Sequence, residues 1–150
     1  MTPVLTNPVV APGFKPGALA LRIRRGNSFY LLPRAWVRGM RELGAGGCYP
    51  LPRTKRWVLG LVEQGGRPLP LLDPAACQDG AEAPPVAAVL FGAPEREPLA
   101  LIGADEAGRF VSIPGAARCE PASDWLSRVH GGMKSTWWVE ARRLAETLEG

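Results

Sequence analysis

The chain has 150 residues, 46% of them apolar, and a net charge of +4. That length fits one domain able to bury roughly 70% of its unfolded-chain surface, and so modest a charge argues against the concentrated basic stripe of a nucleic-acid protein. Sixteen prolines and eighteen glycines interrupt the sequence too often for long helices, which leaves short strands joined by turns, an all-β sandwich or barrel.

Residues 1–17 carry Pro3, Pro8, Pro12 and Pro16 with no charge before Lys15, the composition of an extended, flexible tail. The domain is expected to occupy 18–150. From Ala18 to Arg24 the sequence alternates, with Leu19, Leu21 and Ile23 on one face and Ala20, Arg22 and Arg24 on the other. Arg25-Gly26-Asn27 turns the chain and Ser28 to Leu32 returns it as an antiparallel hairpin with one solvated face. Pro33 to Leu43 admits two readings. Trp36, Val37, Met40 and Leu43 have helical spacing, whereas Gly39 disfavours a helix by about 1 kcal/mol relative to alanine. Gly44 to Gly47 reads as a loop and Tyr49 to Pro52 as extended chain.

Trp57 to Asp73 is the most complete local unit. Trp57, Leu59 and Leu61 alternate with Val58, Gly60 and Val62, as a strand requires. Gln64-Gly65-Gly66 supplies a tight turn, and Arg67 to Leu72 forms the return strand. Pro68 and Pro70 cannot donate to a ladder, so that strand needs an open edge or a bulge. Asp73-Pro74 reads as an N-cap and first helical residue, opening a short helix from Pro74 to Gln78 that closes near Gly80, before a loop from Ala81 to Pro85.

Val86 to Phe91 is an apolar run suited to a buried strand. Leu99 to Ala104 and Arg109 to Ile113 read as two strands about Asp105-Glu106-Ala107-Gly108. Asp105 and Glu106 are adjacent on an apparent turn, with no histidine or serine in view for acid–base work. Pro114 to Pro121 is irregular and Trp125 to His130 weakly patterned, with His130 an exposed loop residue. Trp137-Trp138-Val139 reads as a last strand. Ala141, Leu144, Ala145 and Leu148 then give a one-sided terminal helix over Glu140 to Leu148, with Glu140 and Glu146 in surface pairs with Arg142 and Arg143.

Cys48, Cys77 and Cys119 are odd in number and scattered, which points to reduced thiols and a reducing, cytoplasmic compartment. One histidine gives a zinc site no support. No metal, cofactor or catalytic residue is expected, and no segment is apolar enough to insert into a membrane.

Four segments in order carry a family resemblance. Tyr30-x-Leu32-Pro33-x-x-x-Val37, Gly60-Leu61-Val62 with Gly66-Arg67-x-Leu69-Pro70-Leu71-Leu72-Asp73, the Asp105-Glu106 to Ile113 stretch, and the closing strand and helix resemble CheW-like domains. The resemblance spans about Leu19 to Leu144. It implies two small five-stranded SH3-like barrels with a short C-terminal helix, and a short helical turn then a strand after Pro33. It implies a non-catalytic adaptor whose partners are a histidine kinase regulatory domain and the cytoplasmic tips of chemoreceptors, placed at membrane-associated receptor arrays. The interaction positions carried over are Val37, Gly39, Gly60, Glu63, Gly65, Phe110 and Val111. At Gly60 any side chain is expected to collide with a neighbouring strand.

Two of these depart from the family pattern. Gly65 stands for the family's arginine in Asn-Leu-Arg-Gly, here Glu63-Gln64-Gly65-Gly66, and Gly39 for an acid that lies near it. Losing both avoids an unpaired charge. The competing reading is a nucleic-acid-binding barrel with Arg22, Arg24, Arg25, Arg53, Lys55 and Arg56 as phosphate contacts and Tyr30 and Trp57 as stacking groups.

Overall fold

The computed structural model describes residues 13–44, 47–51, 55–77 and 83–149. The expectations that fall on 1–12, on Pro52 and Arg53, and on Gln78 through Ala81 lie outside the described residues.

The first hairpin is β1 (Leu19–Arg25) and β2 (Ser28–Pro33). Its register pairs Arg25 with Ser28, so the turn is Gly26-Asn27 alone, with Gly26 at φ 65°. Arg25 therefore belongs to the strand, not to the turn as expected. A 3-10 turn at Arg34–Trp36 leads into β3 (Val37–Glu42), as the family resemblance implied. Next come β4 (Cys48–Tyr49), β5 (Val58–Gln64) and β6 (Arg67–Leu72). Pro74–Cys77 forms a 3-10 turn where a helix was expected. Then follow β7 (Ala87–Phe91), β8 (Ala100–Ala104), β9 (Arg109–Ser112), β10 (Arg118–Ser123), β11 (Leu126–His130), β12 (Thr136–Val139) and the helix α1 (Ala141–Glu149).

These strands make two six-stranded sheets, ordered β10-β11-β12-β2-β1-β9 and β3-β7-β8-β6-β5-β4. The all-β, two-subdomain architecture is the expected one, with six strands rather than five in each. The additional member of the second sheet is the two-residue β4, paired to β5. In the first sheet it is β10, which the sequence hid behind Pro121; an edge strand with a register shift at that residue accommodates a proline. The second sheet is continuous in sequence, whereas the first is assembled from both ends of the chain. β8 and β9 accordingly lie in different sheets, β8 beside β7 and β9 beside β1. They are not the hairpin that Asp105 to Gly108 suggests locally. β6 meets β8 only at Leu71 and Leu72, which leaves Pro68 and Pro70 on an open side.

Three apolar clusters hold the sheets. The central one joins Leu21, Ile23, Tyr30 and Leu32 of the first sheet to Leu72, Val89, Phe91 and Ile102 of the second, with Trp57 and Trp125 packed edge to face at 5.7 Å. Each fully buried aliphatic side chain is worth roughly 1.5–3 kcal/mol. α1 closes this core with Ala141 and Leu144. The outer face of the first sheet packs Ala20, Leu31, Ile113 and Trp138, and the second sheet packs Val62, Leu69, Leu71 and Leu101 on its other side. β7 and β8 contribute to the core on both faces, which is why their sequences are apolar without alternation.

Candidate protein-interaction surface

The polar groups that sequence reasoning placed at the surface hold the two sheets together. Arg25 is only 2% exposed. Its Nε and Nη2 donate to the two carboxylate oxygens of Asp73 at 3.0 and 3.1 Å, a bidentate pair, and its Nη1 donates to Asp105 Oδ1 at 2.8 Å. Burial opposes its charge, but hydrogen bonds and attraction from Asp73 and Asp105 outweigh that and raise its pKa above the ordinary arginine value. Asp73 also accepts from the Ala75 N–H at 3.0 Å, the capping role read from the sequence. Asp105 accepts from the Gly26 N–H at 2.7 Å, and Arg24 reaches both Asp105 and Glu106 at 3.5 Å. The two adjacent carboxylates are thus occupied by arginines.

Glu140 is another correction. It is buried rather than in a surface pair, and accepts from the Ser127 hydroxyl, while its N–H donates to the Trp125 carbonyl at 2.8 Å. His130 is exposed as expected but ends β11 and lies 3.3 Å from Glu120. Burial raises the thiol pKa of Cys48 and, with nearby Asp124 for Cys77 and Glu140 for Cys119, pushes those two up to about 12. Such thiols are poor nucleophiles at neutral pH. Among the described residues no group of three His, Cys, Asp or Glu side chains could hold a metal ion.

The residues carried over from the family pattern fall into two groups. Val37 opens β3, half-buried against the central core and paired with Phe91. Gly39 follows at a register shift with φ 144°, where a Cβ would lie 3.3 Å from Leu90 Cδ1. Gly60 lies beneath β4. A Cβ there would overlap the Tyr49 carbonyl oxygen and sit 2.7 Å from Cys48 Sγ, so the collision read from the sequence is present. Glu63 is exposed at the end of β5, and Gly65 occupies the turn at φ 59° with no atom near its would-be Cβ. Arg41, which sequence reasoning passed over, joins these elements. From β3 its Nη1 donates to the Glu63 carbonyl and to Gln64 Oε1, both at 2.9 Å. Phe110 and Val111 lie apart, on β9 at the edge of the first sheet, with Phe110 50% exposed and Val111 packed on the outer cluster.

Other exposed apolar side chains are Tyr49 and Leu51 at and after β4, and Val86 before β7. A cavity of about 650 Å³ lies in the second sheet, lined by Leu43, Cys48, Leu59, Leu71 and Val86 and bounded by Arg25 and Asp73. No local sequence signal marks it, because its walls come from separate segments between Arg25 and Val86.

The nucleic-acid reading loses its stacking groups. Tyr30 is 1% and Trp57 4% exposed, so neither presents a ring to a base. Arg24 and Arg25 are engaged by carboxylates, and Arg56 donates to the Cys77 carbonyl at 3.4 Å.

No protein-family model and no curated protein matches the sequence. In three dimensions the chain is similar to the scaffolding protein TtCheW from Thermoanaerobacter tengcongensis. The TM-score is 0.60 at 11% identity, over 82% of this chain and 87% of that one. The fold is CheW-like, in a sequence far diverged from that neighbour.

Proposed function

We propose that this chain is a non-catalytic adaptor that joins a histidine kinase regulatory domain to the cytoplasmic tips of chemoreceptors in a chemosensory array. The observation that carries the reading is the CheW-like double-sheet fold, matched over most of both chains to a protein described as a scaffold. The disposition of polar groups agrees with it. Buried Arg25 and Asp73 are consumed in joining the sheets, buried Glu140 is held by Ser127, and the exposed apolar side chains lie on or beside edge strands, the material of a protein interface rather than of a reactive site. Val37, Gly39, Gly60, Glu63 and Gly65 form one contact region about β3 and the β5–β6 hairpin, and Phe110 and Val111 a second on β9. No helix among the described residues is long and apolar enough to cross a membrane; we place the protein in the cytoplasm, held at arrays by its partners.

Calorimetric titration against the regulatory domain of a chemosensory kinase from the same genome, at two salt concentrations, tests the reading. Binding that persists at the higher salt is expected, because burial of apolar surface is little screened. No binding at either salt refutes it.

A further inference from the structure

β9 ends the first sheet and has one strand neighbour, β1. The Ile113 N–H donates to the Ala18 carbonyl at 2.9 Å, on the β1 side. By the alternation of a strand, Val111 and Arg109 also turn their backbone groups to β1, and Phe110 and Ser112 turn theirs outward. Phe110 and Ser112 are exposed, and their outward groups have no partner among the described residues. This is an open template for one more strand.

The two faces of that edge differ in chemistry. On one, Arg22 and Arg109 are directly opposed across β1 and β9, an arrangement of like charges that is unfavourable by itself. Arg22 lies over the Phe29 ring at 4.7 Å, and neither arginine has a carboxylate partner among the described residues. With Arg24, Phe29 and Glu106 they line a recess of about 220 Å³, in which Glu106 is already taken by Arg24 at 3.5 Å. On the other face Phe110 and Leu19, diagonal neighbours, are 50% and 43% exposed.

We propose that β9 receives an extended segment of a protein partner whose residues alternate acidic and apolar. It adds as an outer strand, with carboxylates toward Arg22 and Arg109 and apolar side chains on Phe110 and Leu19. Strand addition draws affinity from main-chain hydrogen bonds and specificity from alternate side chains, and each face here asks for one of the two classes. A second copy of this chain is disfavoured, since its own β9 brings another arginine to the edge. A nucleic acid at this edge would find the exposed Phe110 ring on the face away from the unpaired arginines.

The proposal rests on the adaptor reading and specifies what its β9 contact region receives, but its test involves neither kinase nor receptor, so the two fail separately. The probe is a short fluorescein-labelled peptide alternating Glu and Val, titrated into the full chain and read by anisotropy, with amide hydrogen exchange mapped on the complex. Saturable binding is expected, with protection gained at Phe110 and Ser112. Arg109→Glu, at an exposed position, should weaken it about ten-fold, as cross-strand attraction becomes repulsion. Thermal unfolding of that variant verifies that it is folded. Absence of binding, protection that arises elsewhere, or equal affinity for a proline-interrupted peptide or for single-stranded DNA of equal charge overturns the proposal.

Discussion

Arg25→Met tests whether the two sheets are clamped by charge. The substitution keeps the apolar stem but leaves Asp73, itself 3% exposed, as a buried carboxylate whose cation has gone. Breaking a buried pair from one side costs about 3–5 kcal/mol. At this chain length that lowers the melting temperature by roughly 6–20 °C. Asp73→Asn is milder. The amide oxygen can still accept from the Ala75 N–H, and Arg25 keeps Asp105 at 2.8 Å, so the loss should be about 1–3 kcal/mol. In the double variant neither ion remains at the Arg25–Asp73 contact, and its cost should not exceed that of Arg25→Met alone. The cycle therefore closes with a coupling at least as large as the Asp73→Asn cost, about 1–3 kcal/mol or more. Urea unfolding of the four proteins, with midpoint and slope both fitted, measures it. An Arg25→Met cost below about 1 kcal/mol, or single effects that simply add, would refute the clamp.

Two further outcomes follow from the geometry. Gly60→Ala should cost about 1–3 kcal/mol by overpacking against β4, and amide exchange should speed up at Cys48 and Tyr49 while β1 and β2 keep their protection. The thiols supply a pH dependence. Cys77 and Cys119 titrate higher when folded, at about 12, than when unfolded, so the folded state binds more protons above the unfolded thiol pKa. Their contribution to stability is intact at neutral pH and is lost as pH rises from the unfolded value, near 8.5, toward 12. Replacing both by alanine should flatten that alkaline decline in urea midpoint, and an unchanged decline would contradict the assignment.

What could be read in the sequence was set by the range of the interaction. The β1–β2 and β5–β6 hairpins were legible because alternation and glycine turns are encoded within a few residues. Gly60 was legible too, since a glycine inside a strand marks a close backbone approach. The role of Arg25 was not, because its partners lie 48 and 80 residues away, and a basic residue before Gly26 has the local look of a turn. The parting of β8 and β9 was hidden for the same reason. Asp105 to Gly108 resembles a hairpin loop until Asp105 is seen drawn to Arg24, Arg25 and the Gly26 amide. β10 was masked by Pro121, which an edge strand tolerates and a central one does not.

The acid and arginine that the resemblance implies at positions 39 and 65 are both glycine here, and the elements that carry them are tied by Arg41 instead. The tie between β3 and the β5–β6 hairpin is still made by a guanidinium, but it originates on β3 and ends on the Glu63 carbonyl and the Gln64 side-chain amide oxygen. Position 39 carries a glycine whose φ of 144° fits the register shift opposite β7. The hairpin turn, relieved of its arginine, is then glycine alone at Gly65 and Gly66, both at positive φ with open space around them. Positive charge therefore sits at the seam between strands, on Arg41, and the hairpin tip is bare backbone. On the function proposed above, a partner meeting this surface reads the Glu63 carboxylate, the backbone of the turn and the Arg41 guanidinium beside it.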